Sequence, residues 1–190
     1  MITIVSGLPR SGTSLMMQML AAGGMPVLSD GERQADTDNP KGYLEWERIK
    51  QLPKEPAIMA EAEGKVVKVI SQLLLSLPAG HDYRVIFMQR PLPEVMASQD
   101  EMLRRRGTYD AAVDTSAVTR AFRDHLYDVH TWLNGKPHIA VLRLNYHQVL
   151  REPRETAESV AKFLGVTLDV DAMARQVDQA LYRQRQKQEG

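Results

Sequence analysis

Short apolar runs alternate along the chain with segments whose apolar positions recur at helical spacing. The apolar runs are rich in β-branched residues and predict buried parallel strands at 2–5, 65–70, 84–88 and 138–144. The amphipathic segments predict helices at 13–22, 71–77, 93–106, 115–134, 153–164 and 169–187. This alternation indicates an α/β fold, a three-layer α/β/α arrangement around an open parallel sheet. We expect residues 1–190 to form one domain of this kind.

One long stretch, 23–64, departs from this rhythm, and we call it the flap. It is rich in glycine and proline and has no clear periodicity. Long irregular connections in compact domains are usually functional or disordered. Tyr43, Leu44 and Trp46 give the stretch apolar surface to pack with, so we expect an ordered cover over a site.

The composition narrows the classes of function. The 24 Lys and Arg residues balance 24 Asp and Glu residues, which disfavours nucleic-acid binding because such proteins are usually basic. The absence of cysteine excludes disulfides, thiolate catalysis and cysteine-ligated metal sites. No apolar run has the length of a transmembrane segment, and the chain starts on a strand pattern rather than a leader. We therefore expect a cytoplasmic protein. The sequence does not specify its oligomeric state.

The first predicted strand leads through a glycine-bounded loop into a helix. The loop reads Gly-Leu-Pro-Arg-Ser-Gly-Thr-Ser from Gly7 to Ser14. Backbone N–H groups of such a loop and of a helix N-terminus converge and bind anions. The spacing follows the phosphate-loop pattern G-x-x-x-x-G-K-[ST], but Thr13 replaces the lysine that reaches the outer phosphates of ATP. We therefore expect a ligand that carries phosphates but is neither ATP nor GTP.

A cation follows the third predicted strand. Magnesium-dependent phosphate-loop enzymes normally place an aspartate at the end of a neighbouring strand, where it helps to hold the metal. Here the strand ends in Arg90, and Ser98 follows eight positions later in the next helix. Ligands bind at the carboxyl ends of strands in such sheets. The sequence therefore predicts a second anion site and no metal site.

With these two motifs the chain resembles the sulfotransferases that use 3′-phosphoadenosine-5′-phosphosulfate (PAPS) as sulfuryl donor. Their 5′-phosphosulfate loop reads P-[KR]-[SG]-G-[TS]-x-[LW], and residues 9–15 match it. Their 3′-phosphate motif has an arginine at a strand end, then a proline, an acidic residue and a serine. Arg90, Pro93, Glu94 and Ser98 are similar to it, with the proline one position late.

Three further segments carry the resemblance over most of the chain. Residues 146–154 resemble the Y-E-D-L-x-x-x-P segment of many sulfotransferases, and residues 161–165 resemble the end of the helix that follows it, F-L-G. Residues 39–45 are similar to a stretch found in small bacterial members.

The resemblance implies a P-loop nucleotide-hydrolase-like fold and transfer of a sulfuryl group from PAPS to a hydroxyl or amine. The product would be 3′,5′-adenosine bisphosphate (PAP), and no metal would be required. Arg10 would lie beside the oxygen that bridges phosphate and sulfate, where negative charge develops. Arg90 and Ser98 would hold the 3′-phosphate, and Tyr146 would lie near the adenine. The donor-binding loop would comprise Pro9, Arg10, Ser11, Gly12, Thr13 and Ser14, the last three at the 5′-phosphate.

The acceptor must lose a proton, and many family members use a histidine two positions after a lysine at the second strand. Lys68 matches that lysine, but Ile70 stands at the histidine position. We therefore expect a carboxylate of the flap as the base, with Glu45 preferred over Glu47. Lys68 would help to neutralise the sulfuryl group, or is equally a strand-end charge in solvent. Three flap residues are candidates for the acceptor pocket: Asp30, Arg33 and Asp36.

Simpler interpretations and rival functions exist. Ser11 and Thr13 could merely cap the first helix, although a cap requires neither both glycines nor Arg10. The basic run at 104–106 is expected to be a solvated helix end, and its use by an anionic acceptor is the less favoured alternative. A kinase or NTPase would bind ATP with magnesium, and a non-catalytic relative would keep the donor cleft without turnover. The sequence does not specify the acceptor.

Overall fold

The computed structural model describes residues 1–33, 35, 36, 39 and 42–177 of the chain. Four predicted strands are present, and the second is shorter than expected because a helical turn begins at residue 71. The strands are β1 (Ile2–Gly7), β2 (Val66–Lys68), β3 (Tyr83–Gln89) and β4 (Ile139–Asn145). They form one parallel sheet in the order β2-β1-β3-β4, which confirms the predicted α/β class.

The helices of the described residues follow the predicted alternation. The predictions at 13–22, 115–134 and 153–164 are confirmed to the residue. No helix among the described residues has the length and hydropathy that a bilayer-spanning segment requires. The flap contains two short 3₁₀-helices, Glu47–Gln51 and Pro56–Ala62. The α-helices are α1 (Thr13–Ala22), α2 (Ser71–Leu74), α3 (Leu92–Arg105), α4 (Thr115–Asn134), α5 (Tyr146–Arg151), α6 (Pro153–Leu164) and α7 (Val170–Ala174).

Two predicted helices end early. The prediction at 71–77 covers only α2, and the helix predicted at 169–187 ends at Ala174, with its part beyond 177 outside the described residues. In both cases the chain tightens: the Ser76 and Gln176 N–H groups donate three residues back, at 3.0 and 3.1 Å. Such tight turns close an α-helix. The prediction also lacked α5, although the Asn145 side chain caps it by accepting from the His147 N–H at 2.9 Å.

Both faces of the sheet are covered, as the three-layer prediction requires. Alternate strand residues enter opposite cores: Ile4 and Val85 face one, and Val5 and Ile86 face the other. The first core is completed by α2, α4 and the flap helices, and the second by α1, α5, α6 and α7. Trp46, which lies in the flap, is buried in the first core. The later half of the flap is therefore a structural layer, packed directly against the sheet.

The strand register brings three chain segments to one edge of the sheet. Val5 is paired with Lys68, and Gly7 is paired with Met88, two residues before Arg90. The loop after β1, the end of β2 and the start of α3 therefore emerge side by side. The chain leaves β1 towards β2 on one side and leaves the neighbouring β3 towards β4 on the other. The connections from β1 and β3 therefore diverge and leave the crevice in which such sheets bind ligands.

The loop after β1 depends on a glycine that no other residue can replace without collision. Gly12 has φ +99°, and a Cβ placed on it would lie 2.4 Å from Cδ2 of Tyr146. A left-handed backbone and a ring at van der Waals contact both select glycine. The loop and α5 are therefore fitted to each other.

We predict that Gly12→Ala destabilises the protein by about 2–5 kcal/mol, the sum of a left-handed backbone and an overpacked contact. Gly24→Ala is the matched control, since Gly24 also has positive φ, +91°, but its added Cβ would meet no atom within 4 Å. It should cost only the backbone share, about 1–2 kcal/mol. Urea unfolding of both variants measures the difference, and equal losses would contradict the fit between the loop and Tyr146.

Candidate functional site

A cavity of about 370 Å³ opens at the carboxyl edge of the sheet. Its walls come from the loop after β1, the start of α1, the end of β2, the flap, α3 and α5. Most of the candidate residues of the sequence meet there. From the predicted site, the cavity is lined by Pro9, Arg10, Gly12, Thr13, Ser14, Glu45, Lys68, Arg90, Ser98 and Tyr146.

The loop offers backbone donors to the cavity. Arg10 and Gly12 both have positive φ, at 69° and 99°, and α1 begins at Thr13. The residue at the helix cap is Gly12, and no side chain of the described residues caps this end. The first-turn N–H groups of α1 are therefore available to an anion. The structure does not support the alternative in which Ser11 or Thr13 merely caps the helix. Ser11 is buried and does not line the cavity. Its backbone N–H donates to the Leu8 carbonyl at 3.2 Å.

The two motifs predicted to bind the nucleotide, the loop after β1 and the Arg90–Ser98 segment, are joined by hydrogen bonds. Arg10 Nε donates to Ser98 Oγ at 2.9 Å, and an Arg90 amino group donates to the Arg10 carbonyl at 3.1 Å. Arg90 Nε also donates to the buried Glu94 carboxylate at 2.9 Å, which accepts a second contact from His147 at 3.0 Å. Glu94 therefore fixes the direction of the Arg90 guanidinium. The sequence identified Glu94 only as the acidic residue of the 3′-phosphate motif.

The Lys68 ammonium connects α1 with the flap. Its Nζ donates to Ser14 Oγ at 2.8 Å, to the Tyr43 carbonyl at 3.2 Å and to Glu45 Oε1 at 2.9 Å. Only 7% of the Lys68 side chain is exposed, so the alternative of a strand-end charge in solvent is wrong. Burial lowers the pKa of Lys68, and the Glu45 carboxylate offsets part of that effect.

Glu45 is held between two cations. Besides Lys68, an Arg33 amino group donates to both of its carboxylate oxygens, at 2.8 and 3.1 Å. Burial alone would raise the pKa of Glu45, but Lys68 and Arg33 outweigh burial and lower it below its ordinary value of 4.5. Glu45 is therefore an ionised carboxylate that faces the cavity. The alternative base, Glu47, instead forms an exposed ion pair with Lys50.

Hydrogen bonds anchor the early half of the flap to α1. Gln18 Nε2 donates to Asn39 Oδ1 at 3.0 Å and to the Gly42 carbonyl at 2.8 Å, and Asn39 Nδ2 donates to the same carbonyl at 2.6 Å. The turn before Glu45 thus uses Asn39 and Gly42, while residue 40 lies outside the described residues. Gln18 itself is nearly buried and lines the cavity.

The three acceptor-pocket candidates have different positions. Arg33 lines the cavity, with its guanidinium 3.6 Å from the centroid of the Tyr43 ring. Asp36 accepts from the Tyr43 hydroxyl at 2.8 and 2.9 Å and so sets that side chain. Asp30 closes a flap turn by accepting from the N–H groups of Glu32 and Glu47, at 3.1 and 2.6 Å. Of the three, only Arg33 lines the described cavity.

One wall of the cavity was recognised only in part from the sequence, through Ser98 and the less favoured alternative for the run at 104–106. Beyond Ser98, the wall consists of Gln99, Met102 and Arg105 from α3 and of Arg106, which directly follows the helix. Their spacing of one, four, seven and eight positions from Ser98 is that of one helical face, and that spacing is visible in the sequence. The run at 104–106 is exposed at the helix end, as expected, and two of its members, Arg105 and Arg106, also border the cavity. Within the described ranges, no three His, Asp or Glu side chains are grouped as metal ligands.

The comparisons with known proteins agree with this architecture. The sequence profile of the sulfotransferase domain matches residues 2–189. No curated protein sequence matches the chain. Among solved structures, mouse sulfotransferase SULT7A1 complexed with PAP is 14% identical, with a TM-score of 0.58, over 98% of this chain and 67% of that one.

Two bacterial structures are similar to the same extent. A sulfotransferase from Alicyclobacillus acidocaldarius is 15% identical, with a TM-score of 0.55, over 88% of this chain and 83% of its own. The sulfotransferase domain of the Synechococcus PCC 7002 olefin synthase is 16% identical, with a TM-score of 0.55, over 98% and 80%. At these identities the likeness shows a common fold.

We predict that Gln18→Leu loosens the flap, because the substitution keeps the size of the side chain and removes both donors to the flap. Two hydrogen bonds of about 0.5–1.5 kcal/mol each correspond to local opening that is roughly 5- to 150-fold more frequent. Hydrogen exchange at the amides of residues 42–46 measures this opening. Gln51→Leu, on the exposed side of the flap, is the control, and equal exchange in both variants would contradict the anchoring role.

Proposed function

The chain belongs to the sulfotransferase domain family, and we propose that it transfers a sulfuryl group from PAPS to a hydroxyl or amine acceptor. One observation carries the proposal further than the fold does. The buried Lys68 ammonium contacts Ser14 at the donor loop and Glu45 in the flap. These contacts support the proposal, because an activated sulfate bound at the loop would have an ionised carboxylate beside it.

The chemistry of the cavity walls fits an adenosine ligand with anions at both ends of its ribose. The loop N–H groups, Thr13 and Ser14 would hold the 5′-phosphate at the start of α1. Arg90, fixed by the buried Glu94, and Ser98 would hold the 3′-phosphate through charge-assisted hydrogen bonds. Tyr146, whose ring centroid lies 4.8 Å from the Arg90 guanidinium carbon, would border the adenine. The mouse structure with PAP, which has the same fold, supports this choice of nucleotide.

In the proposed transfer, the bond from sulfur to the oxygen that bridges it to phosphorus breaks, and a bond from sulfur to the acceptor oxygen or nitrogen forms. The electron pair of the broken bond stays on the phosphate oxygen of PAP. Arg10 and Lys68 would stabilise that growing charge. The acceptor proton would pass to Glu45, whose ionised state is maintained by Lys68 and Arg33.

The 3′-phosphate partner can be tested with a matched pair of nucleotides. Arg90→Ala should weaken PAP binding roughly 10- to 150-fold, the value of a charge-assisted hydrogen bond of about 1.5–3 kcal/mol. Binding of 5′-AMP should barely change, because that nucleotide lacks the 3′-phosphate. Calorimetry with both nucleotides measures the effect, with the exposed Arg120→Ala as control. Equal losses for PAP and 5′-AMP, or tighter binding of ATP with magnesium than of PAP, would contradict the assignment.

The role of Glu45 can be tested against that of Glu47. Glu45→Gln should lower the rate at which PAP is released from PAPS by about 10²- to 10⁴-fold. The rate is measured in the presence of a panel of hydroxyl and amine acceptors. PAP affinity should stay within about two-fold, because the carboxylate would act on the acceptor. Glu47→Gln should leave turnover unchanged. Unchanged turnover in Glu45→Gln would exclude it as the base, and PAP binding by a wild-type protein without turnover would favour the non-catalytic alternative.

A further inference from the structure

The wall of α3 continues beyond the proposed 3′-phosphate site. Ser98, Met102 and Arg105 line the cavity from one face of this helix, and Arg106, the residue after its end, lines it as well. Seven residues of α-helix rise about 10 Å, so Arg105 lies roughly that far along the helix from Ser98. The donor contacts proposed for Arg90 and Ser98 are therefore at one end of this wall, and two arginines are at the other.

The described cavity walls are strongly cationic. They carry six cations, namely Arg10, Arg33, Lys68, Arg90, Arg105 and Arg106, and one carboxylate, Glu45. The proposed function uses Arg10, Lys68 and Arg90 for the anions of the donor, and Arg33 pairs with Glu45. Arg105 and Arg106 are the cations that the donor leaves unassigned, and each is in a loose ion pair at 3.6 Å, Arg105 with Glu101 and Arg106 with Asp36.

The flap spans the distance from Lys68 to these arginines. The Tyr43 carbonyl accepts from Lys68, and the Tyr43 hydroxyl donates to Asp36. The Asp36 carboxylate in turn lies 3.6 Å from an amino group of Arg106. An acceptor bound under this stretch, with its nucleophile near Glu45, would therefore have its other end near Arg106 and the adjacent Arg105.

Asp36 indicates what kind of group these arginines bind. Arg106 takes a flap carboxylate as its counter-ion, at a distance longer than that of a direct hydrogen bond. A guanidinium prefers a planar oxyanion in closer, bidentate contact. An oxyanion on the acceptor would supply that contact without leaving the Asp36 carboxylate unpaired, since the Tyr43 hydroxyl still donates to it.

We propose that the acceptor of this protein carries its own oxyanion, which Arg105 and Arg106 bind at the end of the cavity away from the 3′-phosphate site. This inference rests on the proposed function, because it assigns the donor to the opposite part of the same cavity. It names the acceptor class: small hydroxyl or amine compounds with a carboxylate or phosphate at some distance from the nucleophile.

The test uses matched probes on protein saturated with PAP. Binding of 4-hydroxybenzoate is compared by calorimetry with that of 4-hydroxybenzamide, and binding of galacturonate with that of galactose, with 4-hydroxyphenyl phosphate as the phosphate arm. At least one anion should bind about ten-fold or more tightly than its neutral partner, the effect of one charge-assisted contact. The preference should weaken at high salt.

The paired substitution Arg105→Gln with Arg106→Gln should abolish that preference and leave PAP affinity within about two-fold of wild type. Arg104→Gln is the control from the same basic run, because the Arg104 guanidinium lies over the Tyr109 ring, 4.1 Å from its centroid. It should preserve the preference.

Three results would overturn the inference or its premise, and they are distinguishable. Equal binding of anionic and neutral probes, including no measurable binding of either, contradicts an anionic acceptor. A loss of PAP affinity in the paired variant as large as in Arg90→Ala assigns the two arginines to the donor instead. Failure of the wild-type protein to bind PAP contradicts the proposed function itself.

Discussion

A buried ammonium ion at the end of β2 sets the geometry of the cavity. A charge removed from water must be paired and hydrogen-bonded, or the fold loses several kcal/mol. Lys68 meets this requirement with Ser14 from α1, and with the Tyr43 carbonyl and the Glu45 carboxylate from the flap. These partners come from segments far apart in the chain. The burial of Lys68 is therefore satisfied only while the flap lies over the loop after β1.

The same constraint divides the cavity into two chemically different parts. On the side of the loop and α3, backbone N–H groups, Arg10 and Arg90 form a surface suited to phosphate. On the side of the flap, Lys68 and Arg33 keep the carboxylate of Glu45 ionised, with a pKa below its ordinary value. An activated sulfate placed between them would meet cations on the leaving side and a proton acceptor on the attacking side. The proposed transfer follows from this division.

The sequence predicted the parts of the molecule that depend on local pattern. Strand positions, the exact bounds of α4 and the glycine-bounded loop follow from periodicity and from residues such as Gly12, whose backbone conformation few residues tolerate. Contacts between distant segments could not be predicted. Lys68 had a charge and a place at a strand end, but its burial and its pairing with Glu45 depend on how the flap folds back. For the same reason, Gln18 was missed as a cavity residue.

Titration of the Glu45 side-chain carboxyl by ¹³C NMR, in the wild-type protein and in Lys68→Met, tests this central pairing most directly. Because Lys68 stabilises the ionised form, the wild-type pKa should lie below 4.5. Removal of the ammonium leaves the effect of burial less opposed, so the pKa of Glu45 in the variant should rise above that of the wild type. Lys50→Met, which removes the cation paired with Glu47, should leave the pKa of Glu45 unchanged. The same Glu45 pKa in the wild type and in Lys68→Met would contradict the account.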